Sequence, residues 1–171
     1  MSTVKTPPKT PLKALVQSPK TIGASLVLAG ASLIALIAGH EGTRYKPYRD
    51  IAGVLTVCEG ITGAGVIAGK TYTRAECDAL IQERVLIAGR GVLSCVKAPL
   101  NQNQYNAFTD IAYNIGTTAF CKSSIVTQFN QRNYAEACNR IALYNKAGGK
   151  VVQGLVTRRE AERKLCMLAP S

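Results

Sequence analysis

The sequence predicts an α+β fold, with a small β-hairpin sheet beside a helical bundle, preceded by a weak N-terminal hydrophobic helix. Three observations carry this expectation. A short stretch from Tyr45 to Thr62 mixes β-formers with turn glycines. The chain beyond it reads as helices opened by capping signals, and residues 21–39 carry no charge.

In the β-region, Tyr45, Pro47, Tyr48, Ile51, Val54, Leu55, Val57 and Cys58 are punctuated by Gly53 and Gly60, which suits a short twisted hairpin. Thr73-Arg74-Ala75-Glu76 then forms a capping box, in which the Thr and Glu side chains satisfy each other's orphan backbone N–H groups. It opens a helix predicted to run to about Leu93. A second helix is expected over Gln102–Tyr113, stopping near Gly116, and shorter ones over 124–130 and 134–143. Gly148-Gly149 and Gly154 mark a loop. Thr157-Arg158-Arg159-Glu160 reads as another capping box, starting a final helix to about Cys166.

At 171 residues the chain can hold one well-buried domain. Its formal charge of +11 suits a polyanionic partner. Lys5, Lys9, Lys13 and Lys20 precede the first carboxylate, Glu41, and removing them leaves 17 basic against 10 acidic residues, or +7, for residues 40–171. Nucleic acid is not the expected partner: aromatics are only 6% and the cations form no stripe.

Six cysteines (Cys58, Cys77, Cys95, Cys121, Cys138, Cys166) show no CxxC spacing, and the chain has one histidine, so no metal or other cofactor is expected. An even set in a small domain fits an oxidising compartment such as the periplasm, with buried free thiols as the alternative.

The N-terminus divides in two. Residues 1–20, with four prolines and four lysines, read as a basic flexible tail. Residues 21–39 would span roughly 28 Å as a helix, about a bilayer core. Only Ile22, Leu26, Val27, Leu28, Leu33, Ile34, Leu36 and Ile37 are strongly apolar there. They favour insertion by roughly 2.4–4.8 kcal/mol, from which the glycines and hydroxyls subtract. Lysines before the segment predict an inside N-terminus and an exported remainder. A cleaved signal, a permanent anchor and a buried helix are alternatives; the preferred reading is export followed by release. Residues 40–171 are expected to form the one globular domain, which would carry any catalytic site.

Glycosidic cleavage needs a proton donor at the leaving oxygen and a second group to handle water. Glu41 and Asp50, nine residues apart, could face each other across a cleft from a helix end and a hairpin, with Thr56 nearby. The run His40-Glu41-Gly42-Thr43-Arg44-Tyr45-Lys46-Pro47-Tyr48-Arg49-Asp50, followed by Gly53-Val54-Leu55-Thr56-Val57-Cys58-Glu59-Gly60, resembles the catalytic segment of phage-type lysozymes (glycoside hydrolase family 24). That family's motif reads EG-x-R-x-x-x-Y-x-D, then G-x-x-T-x-G-x-G-H-T. Three further stretches match in family order: Gly69–Cys77; Leu100–Tyr105 with Tyr113–Gly116; and Gly154–Glu162. The likeness covers residues 40 to 166. Within the family it is similar to signal-anchor-release endolysins of lambdoid-like phages.

The resemblance implies a lysozyme-like fold and a muramidase that hydrolyses the β-1,4 bond from N-acetylmuramic acid to N-acetylglucosamine with inversion. Glu41 would be the general acid, Asp50 the carboxylate that activates water, and Thr56 the hydroxyl that holds it. The partners implied are peptidoglycan glycan strands and, before release, the host inner membrane at its periplasmic face; release would free a monomer into the periplasm. It also favours Cys95 and Cys121 as a disulfide. Ile61 and Cys58 depart from the family's His and Gly. Arg158 and Arg159 are expected to form ion pairs around the last helix, Asn114-Ile115-Gly116 a helix stop, and His40 an exposed or helix-terminal residue. The rival readings are a lytic transglycosylase and a non-catalytic wall-binding scaffold.

Overall fold

The structure, a computed structural model, describes residues 43–50, 53–63 and 65–169. The expected hydrophobic helix over 21–39, His40 and Glu41 lie outside the described residues. Among the described residues no helix is long and apolar enough to cross a membrane.

Strands β1 (Arg44–Arg49), β2 (Leu55–Cys58) and β3 (Ile61–Thr62) form an antiparallel sheet in the order β1-β2-β3. The register shifts between Arg44 and Tyr48. Pro47, which has no N–H to donate, sits in that irregular stretch. Arg44 there lays its guanidinium over the Tyr48 ring at 4.5 Å. The β2–β3 turn puts Cys58 in left-handed backbone, φ 55, a strained state for a residue with a Cβ. The side chain that glycine would lack is bonded to Cys77.

Helix α1 (Arg74–Cys95) opens on the expected capping box: Glu76 N donates to Thr73 Oγ1 at 3.2 Å and Thr73 N to Glu76 Oε2 at 2.8 Å. Lys70, 2.7 Å from Glu76, together with the Thr73 N–H, holds that carboxyl down at about 2. Cys77, Ile81, Val85, Ala88 and Val92 line one face of α1. The first three join Val57, Ile61 and Tyr72 in a core under the sheet, while Ala88 and Val92 enter the core of the helical bundle. One helix thus spans both lobes.

Helix α2 (Gln102–Ile115) lies at the centre of that bundle, with every residue from Ala107 to Ala112 buried. It has its own capping box, between Asn101 and Gln104. It ends, as expected, at Gly116. Around it stand α3 (Thr117–Cys121), α4 (Ser124–Asn130), α5 (Tyr134–Arg140) with a 3₁₀ turn (Ile141–Leu143), and α6 (Gln153–Met167). Helix α3 was not expected.

Two expectations need correction. The glycines at 148 and 149 turn a small hairpin, β4 (Lys146–Ala147) with β5 (Lys150–Val151), not a plain loop. The last helix starts at Gln153, so Thr157 caps nothing; its hydroxyl donates back to the Gln153 carbonyl at 3.2 Å, and Glu160 pairs with Arg163 at 2.8 Å.

Three disulfides staple the layers. Cys58–Cys77 joins the sheet to α1, Cys95–Cys121 joins α1 to α3, and Cys138–Cys166 joins α5 to α6. Each closes a loop of 19 to 28 residues, which removes about 3 kcal/mol of unfolded-state entropy in the chain-entropy model. No free thiol remains.

Helices α1 and α2 approach closely at Gly89, where an added Cβ would overlap the buried Tyr105 hydroxyl. Alanine in an exposed helix interior would gain about 1 kcal/mol over glycine. Here Gly89→Ala is expected to destabilise by about 1–3 kcal/mol through overpacking. Adding Tyr105→Phe should recover part of that loss in chemical denaturation, because the clash is with the hydroxyl.

Candidate active site

Asp50 sits where β1 turns toward β2. The turn is closed from several sides: Asp50 N donates to Val54 O at 3.0 Å, Gly53 N to Asp50 O at 2.9 Å, and Arg49 Nη1 to Gly53 O at 2.7 Å. Gly53 supplies the positive φ of 77° that the reversal requires. The Asp50 carboxylate is itself part of the turn, Oδ1 accepting from Val54 N at 2.9 Å.

Thr56, on β2, is 3% exposed, and its hydroxyl donates to Val54 O at 3.0 Å. The backbone of one residue therefore holds both side chains, its N–H taking Asp50 and its carbonyl taking Thr56. A hydroxyl whose proton is committed to a carbonyl still has lone pairs with which to accept. Across the sheet, Thr56 is paired with Tyr48 on one side and Thr62 on the other. Directly paired residues put their side chains on one face.

The structure thus brings Asp50 and Thr56 to one hairpin. Glu41, the third residue of the expected set, lies outside the described residues, two positions before Thr43. The Thr43 hydroxyl donates to Glu59 Oε1 at 2.6 Å. Glu59 is fully buried, and its carbonyl accepts from the Tyr113 hydroxyl at 3.2 Å. The turn after Thr56 is therefore tied both to the segment that follows Glu41 and to α2. Glu59 and Tyr113 were missed by sequence reasoning, because a lone Glu in a turn reads as a surface residue. Cys58, Glu59 and Cys77 cluster as metal ligands might, but the two sulfurs are bonded to each other.

Ile61 stands where the family motif has His. It is buried in the small core, and Arg84 of α1 fastens β3, Nη2 donating to Thr62 O at 2.6 Å.

Arg158 and Arg159 form the expected ion pairs, deep inside the protein. Arg158 reaches Asp110 at 2.6 Å and Glu162 at 3.5 Å; Arg159 reaches Glu162 at 3.0 Å and the Asn114 amide oxygen at 3.0 Å. All four ionisable side chains, of Asp110, Arg158, Arg159 and Glu162, are at most 3% exposed. Burial, then the neighbouring Asp110 carboxylate, pushes the Glu162 carboxyl up to about 9, against the pull of the two guanidiniums.

A family model described as Phage lysozyme matches residues 38–162. The chain belongs to the phage lysozyme family. A SAR-endolysin of Bacteriophage PS119 is 41% identical over 129 residues, covering 75% of this chain and 77% of that relative. Among solved structures, a mutant of P22 lysozyme superposes with a TM-score of 0.72 at 34% identity, covering 83% of this chain and 99% of that one. The muramidase domain of SpmX from Asticaccaulis excentricus gives a TM-score of 0.76 at 26% identity, covering 82% and 97%. The α+β architecture is therefore lysozyme-like, with the Asp50 hairpin inside the matched region.

Proposed function

We propose that this phage lysozyme is an inverting N-acetylmuramidase in which Glu41 protonates the leaving oxygen while Asp50 and Thr56 prepare the attacking water. That the chain is a peptidoglycan-hydrolysing endolysin follows from its family and its endolysin relatives. The observation that supports the finer reading is the double use of Val54. Because Thr56 spends its proton on the Val54 carbonyl, it can only accept from water. Asp50, when ionised, also only accepts. A water giving one proton to each directs a lone pair away from both, toward a sugar carbon held opposite. Asp50 then takes the proton as the new C–O bond forms, and Glu41 delivers its own to the departing oxygen.

Residues 21–39 are proposed to hold the exported chain at the inner membrane before its release into the periplasm. The support is their marginal apolarity together with the SAR-endolysin relatives.

The transglycosylase alternative makes an internal anhydro ring without consuming water, and so has no use for a water-holding pair. Mass spectrometry of the digested wall separates the two. The new muramoyl ends are expected to be one water heavier than anhydro ends; anhydro products would replace the hydrolase reading with the transglycosylase one.

A further inference from the structure

Where β3 meets α1, α2 and α3, at the junction of the two lobes, lies a cavity of about 200 Å³ lined by Gly60, Thr62, Arg84, Ile87, Tyr113 and Thr117, among others. Two features connect it to the chemistry. Thr62 is the cross-strand partner of Thr56, so the catalytic face of the sheet continues into the cavity wall. Tyr113, also in the lining, grips the turn that follows Thr56 through Glu59. A glycan strand lying across Asp50 and Thr56 would pass this opening.

Among the described residues that line the cavity, Arg84 is the cation. Arg84 is exposed and anchored by a single Nη2 bond to Thr62 O. It stands in none of the ion pairs among the described residues. Other exposed cations, such as Arg90, Lys122 and Arg132, likewise stand in no ion pair among the described residues; Arg84 is set apart by the carbonyl that orients it and the cavity that it lines. An oriented guanidinium at the mouth of a cavity, with its remaining N–H groups uncommitted to any acid, is a carboxylate receptor. The wall polymer supplies that chemistry on alternate sugars, where the muramoyl side group ends either in a lactyl carboxylate or in the carboxylates of a stem peptide.

Building on the muramidase reading, we infer that Arg84 is a specificity-determining residue that binds a carboxylate of the muramoyl side group in this cavity. Arg84 touches substrate but not the reacting atoms, so its loss should appear in KM and leave kcat nearly unchanged.

The test compares the full chain with Arg84→Gln and Arg84→Lys on three substrates. These are intact peptidoglycan, peptidoglycan whose carboxylates are converted to methylamides, and strands stripped of peptide by an amidase, which retain only the lactyl carboxylate. On intact wall Arg84→Gln is expected to raise KM about ten-fold, with Arg84→Lys recovering part of it. On the methylamide, unsubstituted and Arg84→Gln proteins should converge. On stripped strands, a persisting ten-fold difference assigns the lactyl carboxylate and a vanished one assigns the stem peptide. An unchanged KM on intact wall, or an equal rise on the neutral substrate, overturns the inference while the muramidase reading stands. No turnover by the unsubstituted chain on any substrate overturns both. Thermal melts of the variants separate a binding effect from misfolding.

Discussion

Glu41→Gln is expected to lower the rate of wall lysis by roughly 10²–10⁴-fold, the usual contribution of a general acid. The amide keeps the shape of the side chain but has no acidic proton to give to the leaving oxygen. Asp50→Asn should fall in the same range, because an amide oxygen cannot take a full proton from water. It should do so with little loss of fold, since the Asn oxygen can still accept from Val54 N as Asp50 Oδ1 does. Thr56→Ala removes a positioning contact only, and about ten-fold is expected. Lysis rates with matched melting curves check the series. Near-wild-type lysis by Glu41→Gln would remove its assignment as the acid.

The largest expected effect on stability is at Arg158. Replacing it with Leu leaves the Asp110 carboxylate, which is fully buried, without its 2.6 Å partner. Breaking a buried pair by removing one side is expected to cost about 3–5 kcal/mol, read by chemical denaturation with the disulfides intact. Glu162→Gln should behave differently. With its carboxyl pushed up to about 9, Glu162 is already neutral near pH 7, and the amide imitates it. The folded state then binds one more proton than the unfolded chain between the ordinary carboxyl value, near 4.5, and about 9. Stability from this group is full below that window and is lost as the pH rises through it. Glu76 acts oppositely, but only below the window, because its carboxyl is held at about 2. Glu162→Gln is therefore expected to flatten the decline of melting temperature between pH 5 and 9. An unchanged slope would mean that the guanidiniums keep Glu162 ionised.

Much of this was legible in the sequence where the determinant was local. The Thr73–Glu76 box sets the start of α1 because both partners lie within one turn and nothing upstream competes. The same letters at Thr157–Glu160 failed because Gln153 to Val156 were already helical, which turned Thr157 back on Gln153 and left Glu160 to Arg163. Asp50 and Thr56 could be placed on one hairpin from Gly53 and the alternating apolar residues. Their common anchor at Val54 is a matter of register, which composition does not state. The pairings Cys58–Cys77 and Cys138–Cys166 depend on which elements pack together, since their separations of 19 and 28 residues bracket the 26 of Cys95–Cys121. Nothing in the sequence marks Arg84; only the arrival of β3 against α1 gives it a carbonyl to hold and a cavity to line.

In the proposed reaction, water held by Asp50 and Thr56 attacks from the side opposite the leaving oxygen. An inverting pair sits about 6.5–9.5 Å apart to admit that water, whereas a retaining pair stands closer and passes through a sugar–enzyme bond. Proton NMR of short glycan strands, recorded in the first moments of digestion before the anomers equilibrate, measures the outcome. The α-anomer at the new muramoyl reducing end is predicted. The β-anomer would show that configuration is retained, and would contradict the account.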